Sequence, residues 1–467
     1  MKNIFTEESG QRITAELFSS FRHKKIDLYG KPAPQVQYPT VPQTLQALGI
    51  PFDLITKLLL KHLLVGGTMR SDELASKMAL PLSLIEEPTH FLRDEALVET
   101  RGAQGGSGVS GIMQLLLTDR GRERARNYLD ESSYCGPLPV TLENYSKQVM
   151  AQSVRRQIAS RDDVQKVYAD IVVNENVLTQ IGAAFNSGGT LFMYGAPGTG
   201  KTFLATQMLK MLQGNIAIPY AVIVDGQIIR VYDPLNHKVV GENLKDNPVV
   251  SPDLHRHPVP DVDARWVICH RPVIISGSEL TLDMIDLQYQ PDIGFYEAPL
   301  QMKANGGIFL IDDLGRQIVQ PKTLLNRWIV PLENEVDYLG LHTGSKFQIP
   351  FDLIPVFATN IRPEELADEA FLRRLGYKIH IDYVTEQEFH SIFEQYCLAD
   401  NIEYNADMVD FLIHEYYRPA SKPMAACHPR DLINKVIDFS LFEGEGPRLS
   451  KELLAMAWEA YFVTSDN

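Results

Sequence analysis

The sequence predicts an α/β fold: a parallel sheet at the centre, a small helical lid domain after it and a winged-helix domain before it. Three stretches predict it. Leu191 to Thr202, LFMYGAPGTGKT, is an apolar strand that runs into a glycine-rich turn and a helix start. Gly306 to Asp313, GGIFLIDD, is a second apolar strand, and it ends in two acids. Between Pro51 and Asp130, three helical patterns are followed by two strand patterns and a closing helix.

Size and charge bound the rest. A chain of 467 residues exceeds what one core usually serves. We expect an arm over 1–48, the winged helix over 49–131, a linker over 132–150, the α/β core over 151–384 and the lid over 385–467. No apolar run reaches the roughly 18 residues of a membrane span, and the start, MKNIFTEESGQRITAEL, lacks the apolar block of a signal peptide. The expected location is therefore cytoplasmic, without membrane insertion. Cys135, Cys269, Cys397 and Cys427 are scattered without CxxC spacing, which suits reduced thiols. A net charge of −15 argues against indiscriminate nucleic-acid binding but leaves room for a local basic patch.

In chain order, a helix is expected from Glu7 to Arg22, then a strap punctuated by Pro32, Pro34, Pro39 and Pro42. The winged-helix pattern has helices over Phe52 to Leu64, from Ser71, and over Ser83 to Asp94, where Pro88 interrupts the third. Strands over Leu97 to Arg101 and Ile112 to Thr118 flank a wing from Ala103 to Gly111, and a helix from Asp119 to Leu129 closes the unit. The third helix carries Glu86, Glu87, Asp94 and Glu95 against Arg93 alone, a face that repels phosphates. Arg120, Arg122, Arg124 and Arg126 read as a solvated helix face. Protein docking is favoured over DNA reading.

Ser132 to Val140, with Gly136, Pro137 and Pro139, reads as linker, and helix follows over Leu142 to Tyr168. The 191–202 stretch fits GxxxxGK[ST], the P-loop, whose backbone N–H groups close around phosphate oxygens while the helix dipole favours the anion. Gly195, Ala196, Pro197, Gly198, Thr199, Gly200, Lys201, Thr202 and Phe203 form the expected nucleotide contact. Lys201 would meet the β and γ phosphates, and Thr202 would place its hydroxyl on Mg²⁺. Ile171 to Val173, just ahead of that strand, is a candidate adenine wall, though core packing explains it as well. Ala221 to Val224 and Gln227 to Tyr232 flank Asp225-Gly226 as a tight hairpin. Asn236 to Val262 reads as a surface excursion, and His237, His255, His257 and His270 as exposed loop histidines rather than metal ligands. Asp312 at the second strand's end can hold Mg²⁺, with Asp313 orienting the attacking water. No other metal site is implied.

At this point the chain resembles the AAA+ ATPases. Ile354 to Asn360, IPVFATN, is similar to the sensor 1 strand, with Asn360 at its tip. Ala367 to Ile381, ADEAFLRRLGYKIHI, is similar to the arginine-finger helix, with Arg373 and Arg374 before the fifth strand. His428 to Phe439, HPRDLINKVIDF, resembles sensor 2, with Arg430 reaching back to the nucleotide. A hairpin pattern over Glu335 to Phe351 resembles the pre-sensor 1 hairpin of the clade that includes MoxR-like ATPases and sigma-54 activators, although the activators' GAFTGA loop is absent. Tyr289, Phe295 and Tyr296 occupy the corresponding place, as pore-lining or as core residues.

The resemblance implies Mg²⁺-dependent ATP hydrolysis with Lys201, Asp312, Asp313, Asn360, Arg373, Arg374 and Arg430 as the reacting set. It also implies a homo-oligomeric ring, a hexamer, with the two arginines acting on a neighbour's ATP, and a protein partner to be remodelled. Asp313 departs from the family's Glu by one methylene, which keeps a slow-hydrolysing assembly switch in play. A DNA-directed initiator or loader is the other alternative.

Overall fold

Leucine-rich segments build the N-terminal unit of the computed structural model, which describes residues 37–101, 113–241, 261–366 and 369–462. Helix α1 (Phe52–Gly66), strand β1 (Met69–Arg70), helices α2 (Ser71–Lys77) and α3 (Leu82–Asp94), strands β2 (Val98–Arg101) and β3 (Gln114–Leu117) and helix α4 (Asp119–Glu131) follow in order. The strands make an antiparallel sheet ordered β1-β3-β2. Leu58, Leu59, Leu63, Leu74, Ile85 and Leu115 are among its buried residues. Helix α3 runs through Pro88 rather than breaking there. Thr89 Oγ donates to the Ile85 carbonyl one turn back, at 2.7 Å, a side-chain bond beside the amide that proline lacks. The expected wing lies outside the described residues, as do the 7–22 helix, Pro32, Pro34, His255 and His257.

The expected linker is instead a buried connection. Tyr134 and Leu138 are buried, Tyr134 packs edge-on against Phe295, and Ser133 N–H donates to the Ile293 carbonyl. Glycine and proline composition predicts loop backbone correctly there but says nothing about what the intervening apolar side chains pack against. The connection ends in β4 (Val140–Thr141), followed by helix α5 (Leu142–Ala151), where the long helix expected to Tyr168 stops.

Continuous apolar runs form the central sheet, as expected for parallel strands buried on both faces. Strand β5 (Leu191–Tyr194) follows helix α6 (Glu175–Ser187) and leads into helix α7 (Lys201–Gln207). The next strands are β6 (Asn215–Pro219), β7 (Ala221–Val224), β8 (Gln227–Arg230), β9 (Trp266–His270), β10 (Val273–Ser276), β11 (Gln288–Gln290), β12 (Phe295–Glu297) and β13 (Ile308–Ile311). Then come β14 (Val336–Gly340), β15 (Lys346–Pro350), β16 (Ile354–Thr359) and β17 (Tyr377–His380). The sheet is ordered β10-β13-β16-β5-β17, and every pairing is parallel. Every residue of β13 and β16 is buried.

A second sheet, ordered β11-β12-β8-β7-β4, joins this core to the N-terminal unit. The β7–β8 hairpin closes on Asp225-Gly226 as expected. Ala221, Ile223, Ile228 and Phe295 share one core with the leucines of α1. Of the two readings of 289–296, this placement supports core packing for Phe295 and Tyr296. Phe295 and Tyr296 are buried, and Tyr289 stacks on His342, its ring centroid 4.2 Å away, at the tip of the β14–β15 hairpin. His237 is likewise not an exposed loop residue: it is 1% exposed, accepts the Asp233 N–H on Nδ1 and bonds the Lys303 carbonyl through Nε2. The strap survives in residues 37–42, where Gln148 Nε2 donates to the Gln37 carbonyl and Asp263 N–H to the Pro39 carbonyl.

Four helices finish the chain: α8 (Glu386–Ala399), α9 (Ala406–Leu412), α10 (His428–Phe442) and α11 (Lys451–Tyr461), around a separate core that includes Phe389, Phe393, Leu432 and Leu454. Among the described residues no helix is long and apolar enough to cross a membrane.

Candidate nucleotide site

Strand β5 can turn back sharply only because Gly195 follows it. Its φ is +148°, and a Cβ there would sit 2.0 Å from the Ile381 carbonyl oxygen. Helix α7 starts at Lys201, whose side chain curls back into the loop. Its Nζ donates to the carbonyls of Gly195 at 3.1 Å and Ala196 at 2.7 Å, and to Asn360 Oδ1 at 2.8 Å. Burial pushes the ammonium pKa down, against the pull of the Asp313 and Asp312 carboxylates. All three of its donors are thus engaged by uncharged oxygens, which phosphate oxygens would displace with a gain in electrostatic attraction.

The acids arrive from the next strands. Asp312 follows β13, and its Oδ1 accepts from Thr202 Oγ at 2.8 Å and from the Asp313 N–H at 2.9 Å. Asn360 follows β16 and donates through Nδ2 to Asp313 Oδ1 at 3.4 Å. Asp313 itself has φ +49°, a left-handed conformation that aspartate adopts more readily than most residues. The carboxyl ends of three adjacent parallel strands, β5, β16 and β13, therefore place cation, carboxylates and amide at one spot. That edge is where open α/β sheets bind ligands.

Lys201, Thr202, Asp312, Asp313 and Asn360 line one end of a cavity of about 1070 Å³. Pro197, Gly198, Thr199, Gly200 and Phe203 line it as well, and Ile171, Val172 and Val173 form an apolar wall. Tyr383 and Tyr396, which the sequence did not single out, also line the cavity and add flat aromatic surface that suits a base. Gly195 and Ala196 reach the site through their carbonyls. Thr202 Oγ and Asp312 Oδ1 are adjacent hard oxygen donors, and Mg²⁺ takes one or two such protein oxygens and keeps several waters. These residues fit that ion.

Helix α10 borders the cavity from the other side. Cys427 N–H donates to the Gly198 carbonyl at 3.0 Å, tying the helix start to the loop. Arg430 lines the cavity while ion-paired to Asp431, 2.8 Å from Nη2 to Oδ1. Arg373 and Arg374 are elsewhere. Arg373 is 73% exposed and pairs with Glu369, and Arg374 pairs with Glu333 at 2.7 Å. Neither is among the residues lining the chain's own cavity. Arg316 is among them, and sequence reasoning passed over it.

His428, beside Cys427, is a half-buried histidine at the start of α10. Its Nδ1 accepts the Ala425 N–H at 3.3 Å and lies 2.9 Å from Tyr417 Oη, so the ring is held neutral. Burial lowers its pKa to about 4; nearby Asp431 pulls it up and Lys422 pushes it down. The unfolded chain binds this proton near pH 6.5. The stability that the neutral ring contributes is therefore complete above that pH and lost as pH falls toward the folded value. After discounting for its partial exposure, we expect a loss of about 1 kcal/mol between pH 7 and pH 5. Denaturant midpoints should show it in wild type and show less of it in His428→Gln.

A family model described as a domain of unknown function, DUF8689, matches residues 385–460, which hold the C-terminal helices α8 to α11. No curated protein matches the chain. Among solved structures, NtrX from Brucella abortus in complex with ADP is similar at 12% identity and a TM-score of 0.38, over 65% of this chain. The chain spans 60% of the length of that protein. The Holliday junction branch migration motor RuvB of Thermotoga maritima is similar at 15% identity and a TM-score of 0.34, over 62% of this chain and 70% of that one.

Proposed function

We propose that the chain binds Mg²⁺-ATP in this cavity and hydrolyses it as an AAA+ ATPase of the pre-sensor 1 hairpin clade, similar to MoxR-like ATPases. The observation that carries the reading is the convergence of Lys201, Thr202, Asp312, Asp313 and Asn360 at the carboxyl edge of an all-parallel sheet ordered β10-β13-β16-β5-β17. In this reading the winged helix occupies 49–131, the α/β core 151–384 and the lid 385–467, after an arm over 1–48 and the connection over 132–150.

The residues divide the work. Lys201 would exchange two backbone carbonyls for β- and γ-phosphate oxygens. Thr202 and Asp312 would hold Mg²⁺, which when bound neutralises charge on those phosphates. Asp313 would accept a hydrogen bond from the attacking water, and Asn360 would fix the carboxylate that does so. Arg430 would reach the phosphates by exchanging Asp431 for them. Arg373 and Arg374 would act on the ATP of a neighbouring subunit in a cytoplasmic homo-oligomeric ring, a hexamer. The partner would be a protein: Glu86, Glu87, Asp94 and Glu95 are all exposed on α3 and its end, a surface that repels nucleic acid.

A slow switch is the second reading, favoured by one feature. Asp313 is one methylene shorter than glutamate, and its bond from Asn360 Nδ2 is long at 3.4 Å, so its carboxylate is weakly held and has less reach. We expect Asp313→Glu to speed single-turnover hydrolysis by up to about 100-fold, the scale of a 1 Å correction in reach. An unchanged rate would remove the switch reading. Absence of Mg²⁺-dependent phosphate release in both proteins would remove the ATPase.

A further inference from the structure

An exposed arginine with no ion-pair partner among the described residues lines the cavity that Asp312 and Asp313 also line. Arg316 lies three residues beyond Asp313, lines the same cavity as Lys201, Thr202 and Asn360, and makes no side-chain hydrogen bond or ion pair among the described residues. The other arginines considered above are engaged: Arg430 by Asp431, Arg373 by Glu369 and Arg374 by Glu333.

The backbone that carries Arg316 is fixed, while its side chain is exposed at the cavity. Its N–H donates to the Asp313 carbonyl at 2.9 Å, closing a turn on the carboxylate residue itself. Leu314 is buried and donates its N–H to the Ala358 carbonyl of β16. Gly315 has φ +108°, and a Cβ there would meet Ile361 Cδ1 at 2.5 Å. Gln317, 8% exposed, accepts the Gly315 N–H on Oε1 at 2.8 Å and donates through Nε2 to the carbonyls of Gly277 and Asp312. Every residue from 313 to 317 is thus pinned to β13, to β16 or to its neighbours, and only the Arg316 guanidinium is left without a partner. A guanidinium presents a planar fork of donors that matches phosphate oxygens.

We propose that Arg316 contacts the terminal phosphate of the nucleotide bound by its own subunit, and so distinguishes the triphosphate from the diphosphate. The proposal rests on the nucleotide reading above. It adds to Arg430 a second arginine from the same subunit, separate from those that Arg373 and Arg374 offer a neighbour. Because the 313–317 turn carries both Arg316 and Asp313, the contact would also report the presence of the third phosphate directly to the residue that orients water.

The test titrates the full-length wild type, Arg316→Ala and Arg316→Lys with fluorescent ADP and with a fluorescent non-hydrolysable ATP analogue, each with Mg²⁺. Wild type should prefer the triphosphate. Arg316→Ala should lose about tenfold or more of its affinity for the ATP analogue, the scale of one charge-assisted hydrogen bond. Its affinity for ADP should not change, which shows that the fold and the remaining site are intact. Arg316→Lys should recover part of the loss. An equal fall for both nucleotides, or no change for either, would overturn the proposal. Failure of the wild type to bind either nucleotide would overturn it together with the nucleotide reading itself, a result the Arg316 variants alone cannot produce.

Discussion

Replacing Arg374 with alanine is expected to lower steady-state ATP hydrolysis about a thousandfold or more, the scale on which a transferring phosphoryl group depends on an arginine supplied by a partner. Arg374 lies just ahead of β17 in sequence, is held by Glu333, and is absent from its own cavity. If it acts, it acts on another copy, and the activity should rise with protein concentration. Adding the Lys201→Ala chain, which keeps its arginines but cannot hold phosphate, should restore part of the activity of Arg374→Ala. Wild-type turnover in Arg374→Ala would mean that the shared site is wrong, or that Arg373 fills the role. The double variant separates these two cases. Arg373 is the more exposed of the two, so Glu369 holds it less firmly than Glu333 holds Arg374.

The convergence at the sheet's carboxyl edge was legible in the sequence because parallel strands buried on both faces read as unbroken apolar runs, and polar residues follow them. Leu191–Tyr194, Ile308–Ile311 and Ile354–Thr359 each announce themselves this way, and Lys201, Asp312 and Asn360 follow at their ends. The second sheet was not legible as a whole. Strands β4, β11 and β12 are only two or three residues long, too short for any period to show, and β4 pairs with β7 from the other side of the P-loop strand. The same sheet explains why the aromatics at 289–296 resist reading: their spacing suits a loop tip, and only the pairing of β12 with β8 turns Tyr296 into the core. Histidine in a polar stretch misled in a similar way at His237, whose two ring nitrogens meet backbone of Asp233, four residues back, and of the distant Lys303.

Arg316 left no signal at all. A basic residue shortly after paired acids is commonplace on a protein surface, and its significance comes from the turn that Leu314, Gly315 and Gln317 fix in space. Arg373 and Arg374 show the converse: the resemblance to a family motif singled them out, and within one chain they stand apart from the cavity.

Binding of nucleotide by the cavity around Lys201 underlies every other statement, and a direct titration tests it. Full-length wild type and Lys201→Ala would each be titrated with a fluorescent ATP analogue in the presence of Mg²⁺. Lys201 Nζ is the buried cation on which the loop carbonyls and Asn360 converge. Its loss should weaken binding by about 100-fold or more, the upper range for a hydrogen bond between charged groups. Saturable binding in wild type with that loss in the variant is the predicted result. Equal binding by the two proteins, or no saturable binding by wild type, would contradict the account.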